Sequence, residues 1–250
     1  MAENTSNNSA GVRVGCAGWS LPKEYSPLFP SEGTHLTRYA ARFPAVEINS
    51  SFYRPHLPAT YARWGESVPG DFLFSVKLPK VITHERRLAD VNDILNRFLR
   101  ETDHLDSKRG PLLVQLPPSL SFSAAPTKTF LAGLRERFDG PVALEPRHAS
   151  WFEAAADRLV TKYRVARVAA DPSVVAAASD PGGWAGLVYY RLHGSPKMYH
   201  SAYPPEYLEA LSAKLSILAK SAAVWCIFDN TADGAATANA LDLLNLVRTA

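Results

Sequence analysis

Short apolar runs rich in β-branched and aromatic residues alternate along this chain with longer amphipathic stretches. Eight runs have the length and composition of strands that are buried on both faces: 13–17, 45–49, 72–77, 112–115, 142–145, 165–169, 188–192 and 224–228. Apolar residues at helical spacing fill most of the segments between them: 36–43, 59–66, 91–104, 127–138, 151–162, 205–220 and 234–248. The link between the sixth and seventh predicted strands shows no obvious helix.

This alternation predicts the fold class. Strands that alternate with helices form parallel βαβ units, and eight such units are typical of a (β/α)8 barrel. We therefore predict an α/β fold consisting of a single (β/α)8 TIM-type barrel. Residues 11–250 would form this one domain, and residues 1–10, which are rich in Asn and Ser, would form a disordered N-terminal tail.

Composition narrows the possible partners and location. The net charge is +3, and no run of five or six basic residues marks a nucleic-acid arm or a membrane patch. Residues 1–10 lack the basic and apolar regions of a secretory signal. No apolar stretch approaches the roughly 20 residues of a spanning helix. The two cysteines form neither a disulfide framework nor a metal-binding spacing. We expect a cytoplasmic protein without a membrane partner, and the charge pattern does not support nucleic acid as a partner.

Charged and polar side chains stand at the ends of most predicted strands. Residues i and i+2 of a strand share a face, so Glu145 shares a face with Arg147, and Arg191 with His193. Enzymes with a TIM-type barrel carry their catalytic groups at the carboxyl ends of the strands. The residues expected at this end are Glu47, Lys77, Gln115, Glu145, Arg147, Arg191, His193 and Asp229.

These residue types suit acid–base chemistry on an anion. Glu47 and Glu145 would act as general acid and base, with His193 as the partner in proton transfer. Arginine binds carboxylate and phosphate groups through paired hydrogen bonds, so we predict a small anionic or phosphorylated substrate. The predicted anion-binding residues are Lys77, Arg147 and Arg191. A buried Glu145 beside Arg191 is equally compatible with a structural ion pair.

Other functions stay open on the sequence alone. One is metal-dependent hydrolysis of phosphoesters in nucleotides or nucleic acid, using Glu47, Glu145, His148 and His193. No HxH, HExxH or Asp-x-Asp spacing is present and basic residues lie nearby, so we predict no metal site and expect no cofactor. Another is a non-catalytic protein that binds an anionic metabolite or nucleic acid. Lys77 is a weaker candidate for a Schiff-base nucleophile, since any lysine at a strand end would look the same.

Seven short motifs in chain order resemble those of the YecE-like family, known as domain of unknown function 72. They are GCAGW at 15–19, EINSSFY at 47–53, FSVKLP with ITH at 74–84, LVQLPP at 113–118, LEPRHASW at 144–151, YRLHG at 190–194 and FDN at 228–230. The resemblance covers residues 12–246 and implies a TIM-type barrel, but no established reaction. The family's usual Phe-Asn-Asn is Phe-Asp-Asn here, which places the negative charge of Asp229 where an amide is usual.

The pattern and the resemblance together define the predicted site. The predicted catalytic residues are Glu47, Glu145 and His193. The predicted substrate-binding residues are Asn49, Tyr53, Lys77, His84, Gln115, Arg147, His148, Trp151, Arg191, Asp229 and Asn230.

Overall fold

The computed structural model describes residues 11–249, so the predicted tail at 1–10 lies outside the described residues. The strands are β1 Arg13–Cys16, β2 Ala45–Ile48, β3 Leu73–Lys77, β4 Arg109–Gln115, β5 Val142–Glu145, β6 Val165–Arg167, β7 Ala169–Asp171, β8 Gly182–Gly183, β9 Leu187–Leu192 and β10 Ala223–Phe228. The α-helices are α1 His35–Ala40, α2 Pro58–Glu66, α3 Asn92–Asp103, α4 Ala124–Arg135, α5 Ala154–Lys162, α6 Pro205–Leu218 and α7 Ala235–Thr249.

Every predicted strand and helix has a counterpart, with ends displaced by a few residues. The sixth predicted strand is divided into β6 and β7, and the two-residue β8 was not predicted. A short 3-10 turn, Ala176–Ala178, lies where the sequence showed no helix.

The strands form two hydrogen-bonded sheets. One has the order β1-β10-β9-β7, and the other has the order β2-β3-β4-β5-β6-β8. Their pairs are parallel except for β6 with β8. All the carboxyl ends of the parallel strands within a sheet therefore lie along the same edge.

The segment containing β6 and β7 passes from one sheet to the other. Ala166 in β6 pairs with Ala143 in β5, and the Val168 amide still donates to the Leu144 carbonyl at 2.9 Å. Ala169, the next residue, pairs with Tyr190 in β9. The division of this strand is thus a change of hydrogen-bonding partner within one extended segment.

A tyrosine hydroxyl lies between the other two sheet edges, β1 and β2. The Cys16 amide donates to Tyr39 Oη at 2.8 Å, and that hydroxyl donates to the Ala45 carbonyl at 3.0 Å. Beyond it, an isolated parallel bridge joins Ala17 to Glu47. A Cβ at Gly15 would lie 2.2 Å from the Ala45 carbonyl oxygen, so only glycine permits this close approach.

The alternation of side chains produces two cores. The larger packs the outer faces of the strands against the helices. The smaller is enclosed between the two sheets and draws residues from both: Ala45, Leu113, Ala143, Ala166, Val168, Leu187, Tyr189, Trp225 and Ile227. Side chains of this inner core pack beneath charged residues at the carboxyl ends of the strands.

The α/β fold with parallel sheets and flanking helices is confirmed. The backbone ladder is not continuous between the two sheets, so the closed single barrel stays a prediction. Among the helices of residues 11–249, none combines the length and apolarity needed to cross a membrane.

Candidate functional site at the carboxyl ends of the strands

A cluster of charged side chains lies directly above the inner core. Ala45 on β2 belongs to that core, and Glu47, two residues later, points the same way. Ala143 and Glu145 on β5 repeat this relationship. On the inward face of each of these strands, an apolar residue is therefore followed by a charged residue at the carboxyl end. We call the group Glu47, Glu145, Arg147, Arg191, His193 and Asp229 the carboxyl-end cluster.

Arg191 lies at the centre of the cluster and is fully buried. Its Nε and Nη2 donate to the two carboxylate oxygens of Glu47 at 3.0 and 2.8 Å. Nη1 donates to Glu145 Oε2 at 2.7 Å, and Nη2 also donates to Asp229 Oδ2 at 2.9 Å. These four hydrogen bonds use most of the five N–H donors of a guanidinium.

Glu145 has a basic or polar partner for each carboxylate oxygen. Oε1 lies 2.7 Å from Arg147 Nη2 and 2.8 Å from His193 Nε2, and Oε2 also accepts from Gln115 Nε2 at 3.0 Å. Burial alone would raise the pKa of Glu145, but Arg191, Arg147 and His193 together hold that pKa well below its usual range. Glu145 is therefore a stable anion.

His193 bridges two carboxylates. Its Nδ1 lies 3.0 Å from Asp229 Oδ2, and its Nε2 lies 2.8 Å from both Glu145 Oε1 and Arg147 Nη2. A carboxylate accepts hydrogen bonds and a guanidinium donates them. Nε2 consequently has a partner whether it carries a proton or not.

Glu47 has two further neighbours that the predicted site did not include. Tyr189 Oη lies 2.9 Å from Glu47 Oε2 and 2.8 Å from Ser75 Oγ. Burial, followed by the charge of Glu47, raises the pKa of Tyr189 well above its usual range. Tyr189 shares a strand face with Arg191, and this i, i+2 relationship is the signal that could have identified it.

A cavity of about 610 Å³ opens beside the cluster, and we call it the carboxyl-end cavity. Its lining mixes basic, aromatic and amide groups with one carboxylate: Asn49, Phe52, Tyr53, Lys77, Lys80, His84, Gln115, Tyr199, Asp229 and Thr231. Asp229 belongs to both the cluster and the lining. It therefore connects the buried charges to the space that a ligand could occupy.

Lys77 at the end of β3 is only 5% exposed. Its ammonium lies 4.3 Å from the centre of the Phe52 ring, and it forms no ion pair with the carboxylates of residues 11–249. Burial, followed by the charge of Arg191, lowers its pKa to about 8, although Glu47, Glu145 and Asp229 act in the opposite direction. The site thus holds an amine that is easier to deprotonate than an ordinary lysine.

His84 lies in the turn Val81–Glu85 that follows β3. Its Nδ1 is 2.9 Å from Thr83 Oγ1, and its ring meets Phe52 edge to face at 4.9 Å. Burial, followed by Lys77 and Lys80, lowers its pKa. Phe52 therefore contacts both of the basic groups whose charge is disfavoured.

The structure brings most of the predicted site residues together. The cluster and the cavity lining contain Glu47, Asn49, Tyr53, Lys77, His84, Gln115, Glu145, Arg147, Arg191, His193 and Asp229. The cavity also exposes Phe52, Lys80, Tyr199 and Thr231, which sequence reasoning did not assign to the site. Lys80 lies three residues beyond the end of β3, where strand alternation no longer indicates the direction of a side chain.

Three predicted binding residues make contacts elsewhere. His148 Nδ1 is 2.9 Å from Ser150 Oγ and caps a short turn. Trp151 is buried and donates from Nε1 to the Leu120 carbonyl at 2.8 Å. Asn230 donates to the Ser201 carbonyl at 2.9 Å. None of the three lines the carboxyl-end cavity, and their role in substrate binding stays a prediction.

Arg191, predicted to bind substrate, contacts protein carboxylates instead of the cavity. Its side chain has no exposed surface, because Glu47, Glu145 and Asp229 surround the guanidinium. Within residues 11–249, no group of three or more His, Cys, Asp or Glu side chains is arranged to hold a metal ion.

Two solved structures share this fold. A DUF72 family protein from Enterococcus faecalis V583 superposes with a TM-score of 0.80 at 22% identity, over 95% of each chain. A DUF72 family protein from Thermotoga maritima MSB8 superposes with a TM-score of 0.78 at 23% identity, over 95% of this chain and 99% of that one.

Curated relatives resemble part of the chain. The UPF0759 protein YecE of Escherichia coli K12 is 30% identical over 173 residues, which are 67% of this chain and 61% of that protein. The UPF0759 protein YunF of Bacillus subtilis 168 is 28% identical over 151 residues, 56% of this chain and 52% of YunF. The chain thus matches a little over half the length of these relatives.

The family model described as "Protein of unknown function DUF72" matches residues 13–250. This span includes every residue of the carboxyl-end cluster and of the cavity lining. The chain therefore belongs to the DUF72 family, as its seven motifs indicated.

Proposed function

We propose that this protein is an enzyme that binds a small anionic or phosphorylated molecule in the carboxyl-end cavity and acts on it by general acid–base chemistry. One observation carries the proposal: the cavity is lined both by the basic side chains Lys77, Lys80 and His84 and by Asp229, which is hydrogen-bonded to His193. Groups that attract an anion thus adjoin groups that can move a proton.

Anion binding is supported by basic side chains whose positive charges have few carboxylate partners within the protein. Lys77 has no ion pair among the described residues, and Lys80 pairs only with Glu85 at 3.3 Å, in a solvent-exposed position where such pairs are weak. A ligand carboxylate or phosphate would supply the missing counter-charge. In this proposal the anion is held by Lys77, Lys80 and His84, since Arg191 is already occupied by protein carboxylates.

Proton transfer is supported by the contacts of His193. Its Nε2 faces an acceptor on Glu145 and a donor on Arg147 at equal distances of 2.8 Å, so gain and loss of a proton both leave it hydrogen-bonded. Asp229 links its Nδ1 to the cavity. Glu47 and Glu145 would then stabilise charge around His193 and Arg191, as positioning residues that do not touch the substrate.

The proposal is tested by ligand binding followed by a search for turnover. Calorimetric titration with inorganic phosphate, pyrophosphate and a panel of small phosphorylated and carboxylated metabolites should give saturable binding that weakens with salt. Lys80→Gln and His84→Gln should each reduce affinity, whereas Lys162→Gln, at an exposed site on α5, should not. Absence of saturable binding by the wild-type protein would overturn the proposal.

The two alternative functions give different results in the same assays. A metal-dependent phosphoester hydrolase would gain activity on added Mn²⁺, Mg²⁺ or Zn²⁺ with a nucleotide or nucleic-acid substrate. A non-catalytic binding protein would bind an anion saturably without forming product. Elemental analysis of the purified protein tests the first alternative directly, because a metal-dependent hydrolase should contain a bound metal.

We also propose that the two sheets are parts of one eight-stranded barrel. Three contacts between the sheets support this: the bridge between Ala17 and Glu47, the Tyr39 hydroxyl between β1 and β2, and the change of partner at Val168. The shared inner core has the layered character of a barrel interior. A crystal structure in which the strands are hydrogen-bonded all round would test it.

A further inference from the structure

We infer that Lys77 is a nucleophile that forms a Schiff base with the carbonyl carbon of an aldehyde or ketone carrying a carboxylate or phosphate group. This inference rests on the proposed function, because it uses the same cavity and keeps Lys80 and His84 as anion-binding residues, while Lys77 binds the carbonyl carbon of the same molecule. It adds the substrate class and the covalent step.

The position of Lys77 is the first support. Its side chain is almost wholly buried, yet it lines a cavity of about 610 Å³ that has room for a small metabolite. Its neighbour at the amine is the apolar ring of Phe52, 4.3 Å away, and not a carboxylate. An amine must be neutral to attack a carbonyl, and burial beside an apolar ring without an ion pair favours the neutral form.

The charged groups around Lys77 come from four other strands or their ends and from the turn after β3. Arg191 on β9 disfavours the ammonium form, whereas Glu47 on β2, Glu145 on β5 and Asp229 after β10 favour it. His84 lies in the turn after β3, and its own pKa is lowered by burial, by Lys77 and by Lys80. The three carboxylates are all engaged by Arg191 at 2.9 Å or less. Burial and Arg191 outweigh them, and the pKa of Lys77 falls to about 8.

Lys80 shows why the amine of Lys77 is distinctive. Both lysines line the cavity, but Lys80 is half-exposed and its ammonium lies 3.3 Å from a Glu85 carboxylate oxygen. Lys77 has neither a carboxylate partner nor an exposed side chain. Lys80 and His84 are therefore suited to the anionic group of the substrate, and Lys77 to its carbonyl.

The covalent step is balanced without a further reactant. The lone pair of the neutral Lys77 Nζ adds to the carbonyl carbon, the carbonyl π electrons move to oxygen, and a carbinolamine forms. The C–O bond then breaks, and both amine hydrogens leave with the oxygen as water, so that C=O plus H₂N gives C=N plus H₂O. Protonation of the imine nitrogen would make it an electron sink for chemistry at the adjacent carbon.

Reductive trapping tests this inference. The wild-type protein is incubated with pyruvate or dihydroxyacetone phosphate and sodium cyanoborohydride, and the modified lysine is identified by peptide mass spectrometry. At pH 8 a lysine with a pKa near 8 has about a hundredfold more neutral amine than an ordinary lysine, so the adduct should concentrate on Lys77. Acetone, which lacks an anionic group, should react with Lys77 far more slowly.

Two variants complete the design. Lys77→Arg keeps the positive charge but cannot form an imine, so it should lose the adduct and retain phosphate binding. Lys80→Gln should bind phosphate more weakly and form the adduct more slowly, but the adduct should still lie on Lys77. An adduct spread equally over Lys77, Lys80 and surface lysines, or none at Lys77, would overturn the inference. Peptide mapping of the wild-type protein gives this result even if a variant does not fold.

The same measurements separate this inference from the proposed function. Saturable phosphate binding without an adduct at Lys77 would overturn the Schiff base and leave the proposed function standing. Loss of both would overturn both.

Discussion

Arg191 binds Glu47 through two parallel hydrogen bonds, Nε to Oε2 at 3.0 Å and Nη2 to Oε1 at 2.8 Å. Neither side chain has any exposed surface. The paired hydrogen bonds of such a buried ion pair offset the cost of removing both charges from water. Removing one member lowers the free energy of unfolding strongly, because the remaining charge stays buried without a partner.

Replacing Arg191 by methionine should therefore destabilise the protein strongly. Arg191→Met would leave Glu47, Glu145 and Asp229 without their shared cation, and we expect the free energy of unfolding to fall by about 3–5 kcal/mol. Urea denaturation measures this loss. The matched control is Arg164→Met, because Arg164 and its partner Asp139 are both exposed. Its effect should stay below about 1 kcal/mol, and equal effects of the two substitutions would contradict the structure.

Lys77 should lower stability at neutral pH. Its pKa falls from 10.5 to about 8 on folding, so between these values the unfolded chain holds a proton that the folded protein lacks. Stability linked to this group therefore rises from pH 8 to 10.5 and is lowest below pH 8, with a full range of about 3 kcal/mol.

Lys77→Met should accordingly stabilise the protein by about 1–3 kcal/mol at pH 7, and its advantage should disappear near pH 10.5. Unfolding curves of both proteins across this range test the expectation. Lys162→Met, on the exposed surface of α5, should show no such trend. A Lys77→Met protein that is less stable than wild type at pH 7 would contradict the cost of burying the Lys77 ammonium.

Asp229→Asn should remove the negative charge at this position and keep the hydrogen bonds of its side-chain oxygen. Oδ2 of Asp229 lies 2.9 Å from Arg191 Nη2 and 3.0 Å from His193 Nδ1, and an amide oxygen can accept the same bonds. The negative charge of Asp229 raises the pKa of Lys77, so its loss should lower that pKa further. The pH dependence of amine labelling at Lys77 reports this shift. Asp233→Asn, at an exposed pair with His200, should leave it unchanged.

Tyr39→Phe should weaken the contact between β1 and β2. The hydroxyl accepts from the Cys16 amide and donates to the Ala45 carbonyl, so phenylalanine would leave two buried backbone groups without a partner. We expect a loss of about 1–3 kcal/mol in the free energy of unfolding. Tyr163→Phe, at a partly buried tyrosine, should cost less. Amide exchange at Cys16 offers a local measurement, since its protection should fall more than that of Cys226 on the neighbouring β10.

The sequence predicted the elements well because parallel strands buried on both faces appear as continuous apolar runs. It also predicted which charged residues share a face, as with Arg191 and His193, because alternation is a local property. The sequence could not show that protein carboxylates occupy most of the hydrogen-bond donors of Arg191, since its partners Glu47 and Glu145 lie 144 and 46 residues away along the chain. The division of β6 from β7 was equally hidden, because Val168 and Ala169 are both apolar and the change of hydrogen-bonding partner between them depends on the other strands.

The roles assigned to Glu47 and Glu145 illustrate the same limit. A glutamate at a strand end indicates an acid or base, but the number of donors that converge on it depends on the assembled sheets. Lys80 and Tyr199 escaped prediction for the opposite reason, since loop residues follow no periodicity that marks the face on which they lie.

The position of Arg191 also constrains how the chain can fold. This one guanidinium joins β2, β5 and the end of β10, and its bonds close loops of 144, 46 and 38 residues. Closing such loops costs conformational entropy before the contacts form, which slows folding. A fragment that ended before β9 would lack the cation that pairs with Glu47 and would leave Glu145 with Arg147 alone. We therefore expect the charged centre to form only when β9 and the end of β10 are in place.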